Sequence, residues 1–164
     1  MRDLQPHLTL QVRYLDPNIT RLQKLDKGNL IDVRVSSIKL NSTPVKLLPN
    51  ESITYKAGDV LFVGLGFAMK MPDGYKANLY PRSSTFINYG LILTNSVGQI
   101  DNSYQGNDDE WKVMMYALRD GSISYNDRIA QFEVVRAMPH DLDILEVSTL
   151  TAPSRGGYGS TGIK

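Results

Sequence analysis

The sequence predicts an all-β fold, a barrel or sandwich, on three observations. Short β-branched and aromatic runs recur down the 164 residues, turn residues separate them, and helix-period patterns are scarce. The first run is His7–Tyr14, which alternates with Leu8, Leu10, Val12 and Tyr14 on one side and His7, Thr9, Gln11 and Arg13 on the other. That is the pattern of a half-buried strand. Further strands are expected at Leu30–Val35, Val60–Met69, Tyr75–Tyr80, Leu91–Thr94, Trp111–Arg119, Arg128–Val135 and Asp143–Val147. Turns fall between them at Pro49-Asn50, Lys56-Ala57-Gly58-Asp59, Pro72-Asp73-Gly74 and Arg119-Asp120-Gly121. A short helix is expected over Ser83–Tyr89, capped by Ser83 or Ser84 and ended by Gly90, with a weaker helical pattern over Ile19–Lys27.

Composition narrows the function. A net charge of +1, with 41% hydrophobic and 21% charged residues, fits one soluble domain without the basic excess of a non-specific nucleic-acid binder. No run approaches the ~20 apolar residues that cross a bilayer. The opening MRDLQPHLTL lacks a cationic segment followed by an apolar run, so neither membrane insertion nor secretion is expected. With no cysteine and only His7 and His140, disulfides, thiol nucleophiles and multi-histidine metal sites are excluded, and a reducing cytoplasm fits. Any anionic ligand must be held locally.

Residues 1–147 are expected to form the barrel, and 148–164 a Gly-rich arm, STLTAPSRGGYGSTGIK, without apolar periodicity. Such a terminus is ordinarily disordered. It also suits anion binding, because glycines let backbone N–H groups converge on phosphate oxygens while Arg155 supplies a bidentate charge. Four further patterns stand out: Gly28-Asn29-Leu30-Ile31-Asp32, Pro81-Arg82-Ser83-Ser84, the stretch from Asn95 to Gly106, and Asp127-Arg128-Ile129-Ala130-Gln131. Within the third, Gly98-Gln99-Ile100-Asp101 suggests a tight β-hairpin with its backbone open to a ligand. Taken singly, each has an ordinary reading: Asp101 and Asn95 as turn formers, Tyr104 as strand packing, Ser83 or Ser84 as a helix cap.

In this order on an all-β chain, these patterns resemble the five motifs of the trimeric deoxyuridine triphosphatase (dUTPase) family, and look closest to its phage and prophage members. The resemblance spans residues 28–164 and implies a distorted jelly-roll-like barrel assembled as a homotrimer, with sites between subunits. It implies hydrolysis of dUTP to dUMP and pyrophosphate, with Asp101 activating the water that attacks the α-phosphorus and Gln131 beside that water. A carboxylate, ionised at neutral pH, suits the task.

By the same resemblance, Asn95 reads the uracil edge with the main chain of Gly98, Gln99 and Ile100, and Tyr104 packs on the deoxyribose. Arg82, Ser83 and Ser84 bind phosphate. Asp32 and Arg128 support them, as an ion pair or by orienting other phosphate-binding groups. Arg155 meets the γ-phosphate, Tyr158 stacks on uracil, and Gly159, Ser160 and Thr161 contact phosphates. Tyr158 follows Arg155 more closely than the phenylalanine follows the arginine in the usual pattern. Mg²⁺ is implied as a partner of the phosphates without a direct protein ligand. The acidic Asn107-Asp108-Asp109-Glu110 segment is expected to be a solvated turn rather than a metal cage.

Three rival readings remain. A dCTP deaminase shares the fold but carries a glutamate proton shuttle where this chain has Met115. A regulatory, nucleotide-sensing dUTP-binding protein would dock on a protein partner. A purely structural β-protein leaves the five ordered motifs unexplained.

Overall fold

The computed structural model describes residues 7–154, and the architecture is all-β with one short helix. The strands in chain order are β1 (Gln11–Tyr14), β2 (Ile31–Arg34), β3 (Ser37–Leu40), β4 (Thr43–Val45), β5 (Ser52–Tyr55), β6 (Val60–Gly64), β7 (Phe67–Lys70) and β8 (Tyr75–Pro81). The helix α1 (Thr85–Tyr89) leads to β9 (Leu91–Leu93), β10 (Gly98–Ile100), β11 (Lys112–Ala117), β12 (Gly121–Ser124) and β13 (Arg128–Arg136). They form a four-stranded sheet in the order β10-β8-β13-β2, a five-stranded sheet in the order β4-β3-β6-β11-β9, and the pairs β1-β7 and β12-β5.

Alternation in the central strands builds the core. Along β11, Val113, Met115 and Ala117 are buried while Met114 and Tyr116 face out. Trp111 is wholly buried between Phe67 at 5.2 Å and the edge of Phe132 at 5.1 Å, joining β7 to β13 through one aromatic stack.

Several expectations are corrected. Val60–Met69 is two strands, because Gly66 turns the chain at φ +74° and its carbonyl accepts the N–H groups of Leu15 and Asp16. The first strand starts only at Gln11, opposite Lys70 where β7 ends, although the alternation of burial runs back to Leu8. Ile19–Lys27 is not helical. The Arg21 guanidinium donates to the carbonyls of Asp16, Pro17 and Ile19 and sits 4.1 Å over the Tyr14 ring, which holds this segment as a compact loop. Asp143–Val147 forms no strand and is exposed, since no strand among the described residues pairs with it.

Strands β3, β4, β5 and β12 were not foreseen. The β3-β4 hairpin closes through Asn41 and Ser42, both at positive φ (48° and 72°), the geometry that matches strand twist in a two-residue turn. The helix ends where expected, at Gly90 with φ 66°. Its start differs, because Ser84 makes no capping bond. Instead the buried Thr85 hydroxyl accepts from the Arg82 N–H and donates to the Ile129 carbonyl, both at 2.9 Å.

Candidate active site

Three strands of the four-stranded sheet bring the first group of residues together. Gln131 on β13 lies opposite Asp32 on one side and Tyr80 on the other, and Arg128 lies opposite Arg34. Strand period places Asp32 and Arg34 on the same face of β2. An irregularity between Arg128 and Ala130 leaves Ile129 out of the ladder, so Arg128 leans out while Ile129 is fully buried. Arg82 follows the end of β8.

These side chains and the loop Thr20–Leu30 line an open cleft of about 310 Å³. The lining carries Arg21, Lys27, Arg34, Arg82 and Arg128 against a single acid, Asp32. On a chain of net charge +1, the positive charge is concentrated here. Asp32 uses both oxygens inside the cluster: Oδ1 lies 2.8 Å from Arg82 Nε, and Oδ2 lies 3.7 Å from Arg128 Nε. The Arg82 guanidinium reaches Ser84 Oγ at 3.4 Å. Gln131 Nε2 donates to the Pro81 carbonyl at 3.2 Å, which fixes the amide and leaves its oxygen without a protein donor among the described residues. Burial and then the neighbouring Arg128 charge push the Arg34 pKa down, with Asp32 opposing them.

The second group lies on the stretch from Asn95 to Gly106. This is an edge strand followed by a loop rather than the expected tight hairpin. Gly98, Gln99 and Ile100 pair with Leu79, Asn78 and Ala77 of β8, and the groups that follow bond locally. Gly98 is buried against Leu79, whose Cβ would lie 3.0 Å from any added Cβ. Gln99 accepts from Lys76 Nζ at 2.7 Å. Asn95 is exposed beside Ser96, which turns the chain at φ 60°.

Asp101 is exposed, and Ser103 donates to it twice: the N–H at 2.7 Å and the hydroxyl at 2.5 Å, both to Oδ1. These bonds hold its pKa below the ordinary 3.8, the hydroxyl contributing most. Oδ2 is left without a protein donor among the described residues. Tyr104 is half exposed, and its hydroxyl donates to the Glu110 carbonyl at 3.0 Å.

No residue from Asn95 to Tyr104 lines the arginine cleft, so one chain keeps the two groups apart. Arg82 and Ser84 meet within the cluster, whereas Ser83 is exposed beside it. Arg155, Tyr158, Gly159, Ser160 and Thr161 lie outside the described residues. Arg34, Arg21 and Lys27 were missed. For Arg34 the signal was available in its strand spacing from Asp32.

The acidic segment is only partly a solvated turn. Asp108 is exposed and faces Arg13 at 3.6 Å, but Glu110 accepts from the Gly66 N–H at 3.0 Å and so braces the β6-β7 turn. Met115 is wholly buried opposite Leu61 and Leu93, with no carboxylate in its strand.

An all-β fold with an arginine-rich cleft and a separate, ionised, open carboxylate defines a polyphosphate-binding protein equipped for hydrolysis. The sequence model described as dUTPase matches residues 46–162, and the chain belongs to the dUTPase family. It is 41% identical to the SPbeta prophage-derived deoxyuridine 5'-triphosphate nucleotidohydrolase of Bacillus subtilis, covering 96% of this chain and 100% of that one. It is 34% identical to the deoxyuridine 5'-triphosphate nucleotidohydrolase of Corynebacterium diphtheriae, over 90% of this chain and 95% of the other. In fold it is similar to a mutant of the Staphylococcus bacteriophage 80alpha dUTPase solved with dUpNHpp, with TM-score 0.69, 18% identity, and coverage of 94% of this chain and 99% of that one.

Proposed function

We propose that this protein hydrolyses dUTP to dUMP and pyrophosphate, with Asp101 as the general base. The observation that carries the assignment is the contrast between two carboxylates. Asp32 has both oxygens facing arginines, whereas Asp101 is kept ionised by neutral donors on Oδ1 alone. Oδ2 then takes a proton from water as the water oxygen bonds to the α-phosphorus. The bond from that phosphorus to the bridging oxygen breaks, and pyrophosphate leaves with the electron pair. The Gln131 oxygen, oriented by the Nε2 bond to Pro81, holds the water.

Arg82, with Ser83 and Ser84, binds phosphate. Asn95 and the main chain of Gly98, Gln99 and Ile100 read uracil through paired donors and acceptors, and Tyr104 packs on the sugar. Arg155, Tyr158, Gly159, Ser160 and Thr161 complete the nucleotide contacts. Asp32 and Arg128 orient Arg82.

The separation of Asp101 from the cleft supports a homotrimer in which the Asn95–Tyr104 segment of one copy meets the arginine cleft of another. Mg²⁺ fits as a partner of the triphosphate. The described residues hold no group of three His, Cys, Asp or Glu able to cage a metal, and the cleft's cations favour phosphate oxygens. When bound, the ion neutralises charge on those oxygens.

The test is product analysis with purified protein, dUTP and Mg²⁺, beside dCTP, dTTP and UTP. Only dUTP should yield its monophosphate and pyrophosphate at a substantial rate. Comparable turnover of UTP or dTTP refutes the assigned recognition, and release of ammonia from dCTP refutes the reaction class. Mixing Asp101→Asn with a chain truncated after Pro153 should restore activity in mixed trimers. Absence of recovery counts against shared sites.

A further inference from the structure

Among the described residues three of the five cations of the cleft, Arg21, Lys27 and Arg34, make no ion pair, and of these Arg34 alone stands on the sheet beside Asp32 and Arg128. Arg82 and Arg128 share Asp32, but Arg34 makes no ion pair among the described residues. Its one recorded partner is neutral: NH1 donates to the Asn126 carbonyl at 2.8 Å. The guanidinium is partly buried, lines the cleft, and stands across the ladder from Arg128. Like charges crowded on a half-buried sheet face are unfavourable unless an anion joins them.

We propose that Arg34 is a substrate-binding residue for the pyrophosphate portion of the triphosphate, adding an arginine contact on the sheet to that of Arg82. The proposal rests on the dUTP-hydrolysing reading above. Position along the strand sets the subsite. Arg34 is two residues beyond Asp32 on the same face of β2, roughly 7 Å along the sheet. Asp32 lies opposite Gln131, which marks the end of the cleft where water meets the α-phosphorus. A group displaced by that distance reaches the distal phosphates.

The Asn126 bond leaves the remaining guanidinium N–H groups to make charge-assisted bonds to phosphate. It also pre-orients the fork, because Asn126 is itself locked. The Asn126 side chain accepts from the Thr20 N–H at 3.2 Å and donates to the Thr20 hydroxyl at 2.8 Å. The loop wall and the arginine are therefore tied to one turn. Burial and the Arg128 charge lower the Arg34 pKa more than Asp32 and Asp127 raise it, a residual cost that a bound polyanion offsets.

The test compares Arg34→Gln and Arg34→Lys with the unaltered protein. The readouts are KM for dUTP, the Kd of dUpNHpp and of dUMP by calorimetry, and oligomeric state by light scattering. Loss of charge-assisted contacts should raise KM and the dUpNHpp Kd by roughly 10- to 100-fold in Arg34→Gln. The dUMP Kd should move less than about threefold by the same reasoning, because dUMP lacks the distal phosphates. Arg34→Lys should fall between, since it keeps the charge but not the fork.

Unchanged dUpNHpp affinity in Arg34→Gln overturns the proposal. So does an equal loss for dUMP, which would place Arg34 at the α-phosphate or in the fold. An altered oligomeric state with normal KM once assembly is restored also overturns it, because Arg34 would then pair with a carboxylate of a second copy. If Arg34→Gln does not fold, Arg34→Lys decides: wild-type dUpNHpp affinity refutes the fork contact. If the unaltered protein neither binds dUpNHpp nor turns over dUTP, the underlying reading fails instead.

Discussion

Replacing Thr85 by valine should destabilise the protein far more than replacing it by serine, although valine is the closer match in shape. Thr85 is 1% exposed, and its hydroxyl serves two backbone groups that no ladder serves. The Arg82 N–H lies just beyond the end of β8, and the Ile129 carbonyl sits in the β13 irregularity. Valine fills the same space and leaves both groups unpaired, at ~1–3 kcal/mol each, or about 2–4 kcal/mol after partial relaxation. Serine keeps both bonds and loses one buried methyl, about 1 kcal/mol. For a domain of this size, 1 kcal/mol corresponds to roughly 2–4 °C in Tm. Thr85→Val should therefore melt about 5–15 °C lower and Thr85→Ser only a few degrees lower, by calorimetry at one fixed protein concentration. Because the Arg82 N–H is released, KM should also rise in the valine variant. Equal melting temperatures, or a less stable serine variant, would refute the claim that this hydroxyl joins the Arg82–Ser84 turn to β13.

Asp101→Asn should lower kcat by ~10²- to 10⁴-fold while the dUpNHpp Kd stays near wild type, measured by steady-state kinetics and calorimetry. Ser103→Ala should raise the Asp101 pKa towards 3.8 by removing the hydroxyl donor while the N–H donor remains, followed by carboxyl NMR titration. The depressed value means that the stabilisation is present above the unfolded pKa and is lost as pH falls through the folded one, so Ser103→Ala should narrow that acid window. Gly90→Ala should cost about 1–3 kcal/mol in urea unfolding, because φ 66° disfavours a side chain and the new Cβ would sit 2.3 Å from Arg119 Cγ. Truncation after Pro153 should leave the melting temperature little changed but lower kcat/KM by roughly 10²-fold or more.

Long alternating strands were legible in the sequence because their burial pattern is written in their own residues. The runs around β8 and β13 carry ladder contacts that hold the arginine cleft, and both, like β11 in the five-stranded sheet, fall where expected. The short polar strands were not legible. Ser52–Tyr55 becomes β5 only by pairing with Gly121–Ser124, far along the chain, and both segments are rich in Ser and Thr. Asp143–Val147 shows the converse, a strand-like sequence with no strand beside it among the described residues. At the site, motif reading found Asp32, Arg82, Arg128 and Gln131, which register places side by side. It missed Arg34, whose two-residue spacing from Asp32 places both on one face of the strand and which cross-strand pairing then sets against Arg128.

The two carboxylates show why the same residue type takes different roles on one fold. Had Asp101 lain within reach of Arg82, the guanidinium would have occupied its oxygens as it does those of Asp32, and the charge would support structure rather than accept a proton. Distance along the sheet prevents this: Asp101 follows β10 at one edge, whereas Asp32 lies on β2 at the other, with β8 and β13 between. Neutral donors from Ser103 stabilise the anion without covering its second oxygen. Within one chain Asp101 is thus kept clear of the arginine cluster, and the cleft lining keeps only one carboxylate, Asp32. In the proposed shared site, Asp101 of one copy would meet phosphate at the cleft of another only when substrate lies between them, with the triphosphate rather than Asp101 satisfying the guanidinium groups.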